Sequence, residues 1–219
     1  MKKLLLILLC LPLLFGSCSN NSQDKNKFIE FLKEVNKLNN DGTLDYKSQN
    51  ISKAIKKFTK AIEINESYNS NYPYGNISLL AESYFLRGCV KSRYGEDVIG
   101  NSTQNEYRDA IKDFSKAIQL GGLEETQSFA DLNQKSAYIQ RGYAKFCIDD
   151  FDGAILDFTK SIELKPTAGA YMQRGTAKSK LGKLEEGCSD IRQALLINDD
   201  DLTKESRQIC KEIIERFCK

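Results

Sequence analysis

One phrase occurs four times in this chain. AILDFTKSIEL at Ala154 to Leu164 returns nearly unchanged at Ala54 to Ile64 (AIKKFTKAIEI) and Ala110 to Leu120 (AIKDFSKAIQL), and in altered form at Gly187 to Ile197 (GCSDIRQALLI). In the first copy Ile51, Ala54, Ile55, Phe58, Ala61 and Ile62 are spaced as one face of an α-helix. The same register holds Tyr107, Ala110, Phe114 and Ile118, then Phe151, Ala154, Phe158 and Ile162, then Leu184, Gly187, Ile191 and Leu195. Small residues at fixed places between large ones require a neighbouring helix to come close. One helix pair cannot bury such a face alone, so copies must stack, each covering the next. The stripes are therefore core and imply no cofactor box.

A second phrase precedes three of these helices: Tyr84-Phe85-Leu86-Arg87-Gly88, Tyr138-Ile139-Gln140-Arg141-Gly142 and Tyr171-Met172-Gln173-Arg174-Gly175. Glycine within a helix costs about 1 kcal/mol relative to alanine, so three at one register share a reason, and close helix contact is the physical candidate. Tyr138-x2-Arg141-Gly142, followed by Ala154-x3-Phe158 and Pro166, resembles the tetratricopeptide repeat, a helix-turn-helix unit. Asp150 stands where it can cap the second helix and Pro166 where that helix should stop.

The resemblance implies an all-α, right-handed solenoid of stacked repeats closed by a C-terminal helix. The expected organisation is an export signal over 1–17, a polar tether over 18–27 and a degenerate first repeat over 28–66, lacking the glycine and the short turn. Repeats over 78–122, 134–167 and 168–199 follow, with a capping helix over 202–219. Gly88 to Ala110 spans 22 residues where Gly142 to Ala154 spans 12, so the second repeat carries an insertion around Gly95 to Asn105. Asn65 to Asn76 and Gly121 to Asn133 read as insertions between repeats. Asp199-Asp200-Asp201 lacks the glycine and closing glutamate of a calcium loop and reads as a solvated turn capping the last helix.

At the N-terminus, Lys2 and Lys3 precede an apolar run of twelve residues, Leu4 to Phe15. A membrane-spanning helix needs about 20, so the run reads as a removable export signal. Phe15-Gly16-Ser17-Cys18 resembles a bacterial lipobox, with Phe in place of the usual Leu. The resemblance implies that Cys18 becomes the lipidated first residue, with the membrane as a partner through that lipid. Ser19 leans toward the outer membrane. Ser19 to Lys27 is polar throughout and suits a solvated tether. The formal charge of +2 rests on Lys2 and Lys3, and no run of five like charges occurs, so nucleic acid is not an expected partner.

The chain contains no histidine. Ser-His-Asp and Cys-His catalysis and histidine-bearing zinc sites are thereby excluded. Ser-x-x-Lys occurs at Ser22 to Lys25, within the tether, and no glycine-rich phosphate loop is present. Neither enzyme activity, a metal nor a cofactor is expected. By resemblance, the first helix of each repeat lines a concave groove that holds a protein or peptide segment. Phe85, Arg93, Ile139, Tyr143, Phe146, Met172 and Lys180 are the candidate groove residues, with a core reading open for Phe85 and Ile139. Aromatic residues, Met and Arg are the types that dominate interfaces. The expected function is an envelope adaptor or scaffold; the alternative is a structural or self-associating subunit.

An exported chain permits disulfides. Cys188 lies near the start of the last repeat's second helix, and Cys210 and Cys218 lie on the closing helix. Hairpin counting brings Cys210 closer, whereas resemblance to bacterial repeat lipoproteins that end in paired cysteines implies Cys188 with Cys218. Cys89 and Cys147 read as packing residues.

Overall fold

The structure, a computed structural model, describes residues 22–71, 76–97, 101–121, 134–197 and 202–218. Among these it contains helices and no strand: α1 (Ser22–Lys47), α2 (Ile51–Asn71), α3 (Ile77–Asp97), α4 (Asn101–Leu120), α5 (Gln134–Cys147), α6 (Phe151–Leu164), α7 (Ala168–Lys180), α8 (Leu184–Leu196) and α9 (Lys204–Phe217). Consecutive helices pair as α1–α2, α3–α4, α5–α6 and α7–α8. Each hairpin lies against the next, and α9 lies against α8. The fold is an all-α solenoid of helical repeats.

The repeated glycine holds each hairpin together. A Cβ built on Gly88 or Gly142 would stand 2.8 Å from Cε1 of Phe114 or Phe158, so the absent side chain is the space that the ring of the second helix fills. These rings, with Phe58, are at most 1% exposed, and burying each contributes about 2–3 kcal/mol. In the last hairpin Ile191 replaces the ring and Gly187 replaces the alanine. The backbones close up accordingly, and a Cβ on Gly175 would meet the carbonyl oxygen of Gly187 at 2.7 Å.

The first hairpin does possess this glycine, contrary to expectation. A Cβ on Gly42 would lie 2.9 Å from the ring of Phe58, and Gly42 precedes Ala54 by the same 12 residues that separate Gly142 from Ala154. It also has the short turn. Gln49, Asp149 and Gly182, each seven residues past their glycine, have φ of 61°, 63° and 77°. Each turn is closed by the same two backbone bonds, as in Gln49 N–H to Tyr46 O and Asn50 N–H to Asp45 O, matched by Asp149 to Phe146 and Asp150 to Lys145. Only Gly182 adopts this left-handed conformation without a steric cost.

A polar ladder runs through the stack. Arg87, Arg141 and Arg174, each one residue before the glycine, clamp Asp113, Asp157 and Asp190 of the following helix with two hydrogen bonds each. Each arginine also donates to a hydroxyl on the preceding hairpin, Thr59, Ser115 or Thr159, and lies over the tyrosine three residues before it. Lys91, Lys145 and Lys178 complete the carboxylates' partners at 2.9–3.0 Å. One arginine thus joins two hairpins, which gives the stack its register. In the first hairpin the ladder is inverted: Asp45 stands at the lysine position and Lys57 at the aspartate position, paired at 2.7 Å.

The described parts of two expected insertions are helical. α2 continues to Asn71, with its Tyr68 packed on the rings of α1, and α1 begins at Ser22, inside the expected tether. Phe31 stacks on Tyr68 with ring centroids 4.0 Å apart, and Phe28, Leu32 and Val35 join them. The insertion in the second repeat lengthens α3 to Asp97 and starts α4 at Asn101. Residues 122–133, most of the third expected insertion, lie outside the described residues. Asp150 caps α6 through Gly153 N–H, and α6 ends before Pro166. α9 is capped by Thr203, which accepts from Ser206 N–H; the expected capping run, Asp199 to Asp201, lies outside the described residues.

Candidate partner-binding surface

The first helices of successive hairpins approach one another, α1 to α3, α3 to α5 and α5 to α7, whereas the second helices make no contact of that extent. Ser83 of α3 donates to Asn39 of α1 at 3.0 Å. The stack is tighter on the first-helix side, which makes that side the inner face of the bend.

The expected groove residues divide there. Phe85 is 1% exposed and packs tilted against Phe114, with ring centroids 5.7 Å apart. Its groove assignment is corrected, because Ala81, Ala110, Ala117 and Ala137 around it leave room for the ring to turn inward. Ile139 and Met172, at the equivalent register, are half-buried. Met172 leans on the cluster of Ala168, Ala194 and Leu202. Tyr143 is half-buried against the Phe85–Phe114 core, and Phe146 is half-buried, edge-on to Phe151 at 5.3 Å. Arg93 and Lys180 are exposed.

Sequence reasoning missed a cleft of about 200 Å³ between α5 and α7, where Ile139 meets Lys135, Ser136, Gln140, Thr167 and Gln173. Gln140 and Gln173 share one register, two residues before the glycine. The Oε1 atom of Gln173 is buried without a hydrogen-bond partner. The lining holds hydroxyls, carboxamides and one ammonium and no carboxylate, which suits a peptide backbone or a polar side chain. The signal was the shared Gln-Arg-Gly, legible only once the helices are placed side by side.

Cys188 and Cys218 form a disulfide, with Cα atoms 5.5 Å apart. The alternative partner, Cys210, is a buried thiol whose pKa burial raises. The C-terminal end of α9, rather than its middle, reaches α8 at Cys188, and Arg192, one turn further along α8, donates to the Cys218 carbonyl at 2.6 Å. Cys89 and Cys147 pack against the core as expected, and burial pushes the Cys89 thiol up to about 12, which leaves it unreactive at neutral pH. Cys18 lies outside the described residues. Among the described residues no helix is long and apolar enough to cross a membrane, and no group of three His, Cys, Asp or Glu is placed to hold a metal.

Residues 168–201 match the tetratricopeptide repeat family. No curated protein matches the sequence. Among solved structures, TTC0263, a thermophilic TPR protein of Thermus thermophilus, is 12% identical and superposes with a TM-score of 0.50 over 83% of this chain and 99% of its own. A MamA structure is 17% identical over 84% of this chain and 96% of its own, with a TM-score of 0.41. Residues 168–201 thus resemble a tetratricopeptide repeat, and the chain as a whole shares with the Thermus protein the fold of an all-α solenoid of helical repeats.

Proposed function

We propose that this protein is a membrane-anchored adaptor of the bacterial envelope that holds a partner protein's segment along its first-helix face. The observation that carries the reading is the row of half-buried large side chains, Ile139, Tyr143, Phe146 and Met172, on adjacent first helices beside the Gln140–Gln173 cleft. A merely solvated face would be polar; these side chains are anchored at one side and open at the other, the condition under which aromatic residues grip a ligand. The orphaned Gln173 oxygen accepts an N–H from the bound backbone. Arg93 and Lys180 steer association by charge. Such repeats act as interaction modules rather than enzymes.

Tyr143→Ala and Phe146→Ala, shown by circular dichroism to remain folded, should each weaken partner capture by about thirtyfold, near 2 kcal/mol. Arg93→Ala and Lys180→Ala should alter chiefly association rate and salt dependence. Undiminished crosslinking to every partner in the two aromatic variants would remove the groove from consideration. The anchor is tested separately. Cys18→Ser should move the protein from the detergent phase to the aqueous phase, since acyl chains contribute about 0.8 kcal/mol per buried CH2; persistence in the detergent phase would contradict lipidation at Cys18.

A further inference from the structure

The two ends of the solenoid are complementary in the terms that join its interior hairpins. Two residues past the glycine, Val90, Ala144 and Ala177 are buried against the preceding hairpin at no more than 2% exposure, whereas Leu44, at the same register of the first hairpin, is 60% exposed. One residue before the glycine, the arginines of the later hairpins donate to a hydroxyl of the preceding second helix. The first hairpin has Asp41 there, and among the described residues its carboxylate meets no donor. The hydroxyl position, occupied by Thr59, Ser115 and Thr159, is filled in the last second helix by Arg192. The leading edge therefore carries an acid and an uncovered leucine, and the trailing edge carries a base.

In the closed chain α9 covers the trailing edge. Its contact with α8 is the least extensive between successive helices, and it is secured by the Cys188–Cys218 disulfide, by the bonds from Arg192 to the Cys218 carbonyl and from Arg207 to the Ile197 carbonyl, and by the buried Cys210. We propose that reduction of this disulfide frees α9, and that α8 of a second copy then stacks on α1 with Arg192 facing Asp41 and its apolar stripe covering Leu44. In the opening step an external dithiol passes two electrons and two protons to the disulfide. Cys188 and Cys218 become thiols as the reductant's own thiols join. The contact is head-to-tail, so it propagates into linear assemblies rather than closing as a dimer. It uses neither the groove nor the proposed partner.

Sedimentation velocity of the full chain over a concentration series, with and without dithiothreitol, tests this. The oxidised chain should keep one mass, and the reduced chain should grow with concentration. Asp41→Arg should weaken that association at least tenfold by setting two arginines face to face. Adding Arg192→Thr should restore it, because the pair then reproduces the arginine–hydroxyl bond of the interior. Asp41 is half-buried beside the exposed Leu44, and Asp41→Arg places there the residue of the other hairpins, so circular dichroism should show the fold preserved. Equal masses in both redox states, association indifferent to Asp41→Arg, or a double variant no better than the single would each overturn the proposal. A photocrosslinker at position 44 should join α8 of another copy; joining α5 or α7 instead would assign self-association to the groove and equally overturn it.

Discussion

Asp190→Ala is expected to cost about 3–5 kcal/mol, the usual effect of stranding a buried charge by removing its partner. Asp190 is 5% exposed and receives two hydrogen bonds from Arg174 and an ion pair from Lys178 at 2.9 Å. Without it, Lys178 keeps the more exposed Glu186 at 3.6 Å, but Arg174 keeps no carboxylate, only the Thr159 hydroxyl and the Tyr171 ring. Asp190→Asn preserves the shape and one acceptor and should lose less. The same carboxylate sets a pH dependence. Burial alone would raise its pKa, but the hydrogen bonds from Arg174 and Lys178 outweigh burial and hold the carboxyl below its ordinary value of 3.8. A depressed folded pKa means that the unfolded chain binds the proton first. The stabilisation is therefore full above the unfolded carboxylate's value and is lost as pH falls through the folded one. Because each hairpin contacts only its neighbours, unfolding need not be all-or-none, so hydrogen exchange of α7 to α9 is the appropriate measurement. Those amides should lose protection in Asp190→Ala at pH 7 while α1 and α2 are spared, and the acid-dependent part of their stability should shrink, leaving the share of Glu205, whose carboxyl is also held below its ordinary value. Unchanged protection at α7 would mean that the ladder only decorates the hairpin.

What could be read from the letters alone, and what could not, separates by physical cause. Register was legible because it is local: a ring at Phe58, Phe114 or Phe158 and a small residue four positions earlier define the same face whatever surrounds them. Gly42 escaped because it lies in a polar run, NNDGTLDYKSQN, with Asp41 for the arginine and Leu38 for the tyrosine. Those neighbours serve the contact with a preceding hairpin, and among the described residues none precedes the first. The spacing to Ala54 was the surviving signal. Phe85 and Ile139 share a register yet differ in burial, since register sets a side chain's direction while the size of its neighbours decides how far it is covered. The polar stretch from Asn65 to Asn71 resembled a loop because its helical partner is remote in sequence: the prolonged α2 is stabilised by Phe28 and Phe31, more than 30 residues upstream. Hairpin counting favoured Cys210 because the offset of α9 along α8 is a tertiary quantity that no local pattern encodes; the pairing with Cys218 was legible only through the resemblance.

The second large effect lies where glycine and ring meet. Phe158→Ala should cost about 3–5 kcal/mol, since the ring is 1% exposed and its loss opens a cavity between α5 and α6. Gly142→Ala tests the same contact from the other side with opposing contributions. The alanine gains about 1 kcal/mol of helix propensity, but its Cβ would stand 2.8 Å from Cε1 and 3.0 Å from Cδ1 of Phe158, and overpacking of this kind costs about 1–3 kcal/mol. The net expectation is a loss of about 1 kcal/mol in the native background. Phe158→Leu withdraws the obstructing ring atoms, so in that background Gly142→Ala should become neutral or favourable, with a coupling of at least about 1 kcal/mol between the two sites. Purely additive losses in urea unfolding would show that the ring does not occupy the glycine's space. Gly175 supplies the contrast. Its Cβ would meet the Gly187 carbonyl at 2.7 Å, and Ile191 only at 3.0 Å, so the obstruction is backbone. Trimming Ile191 to Val should leave most of the damage of Gly175→Ala in place, because relief there requires α7 and α8 to move apart, and that movement also lengthens the bonds from Arg174 to Asp190.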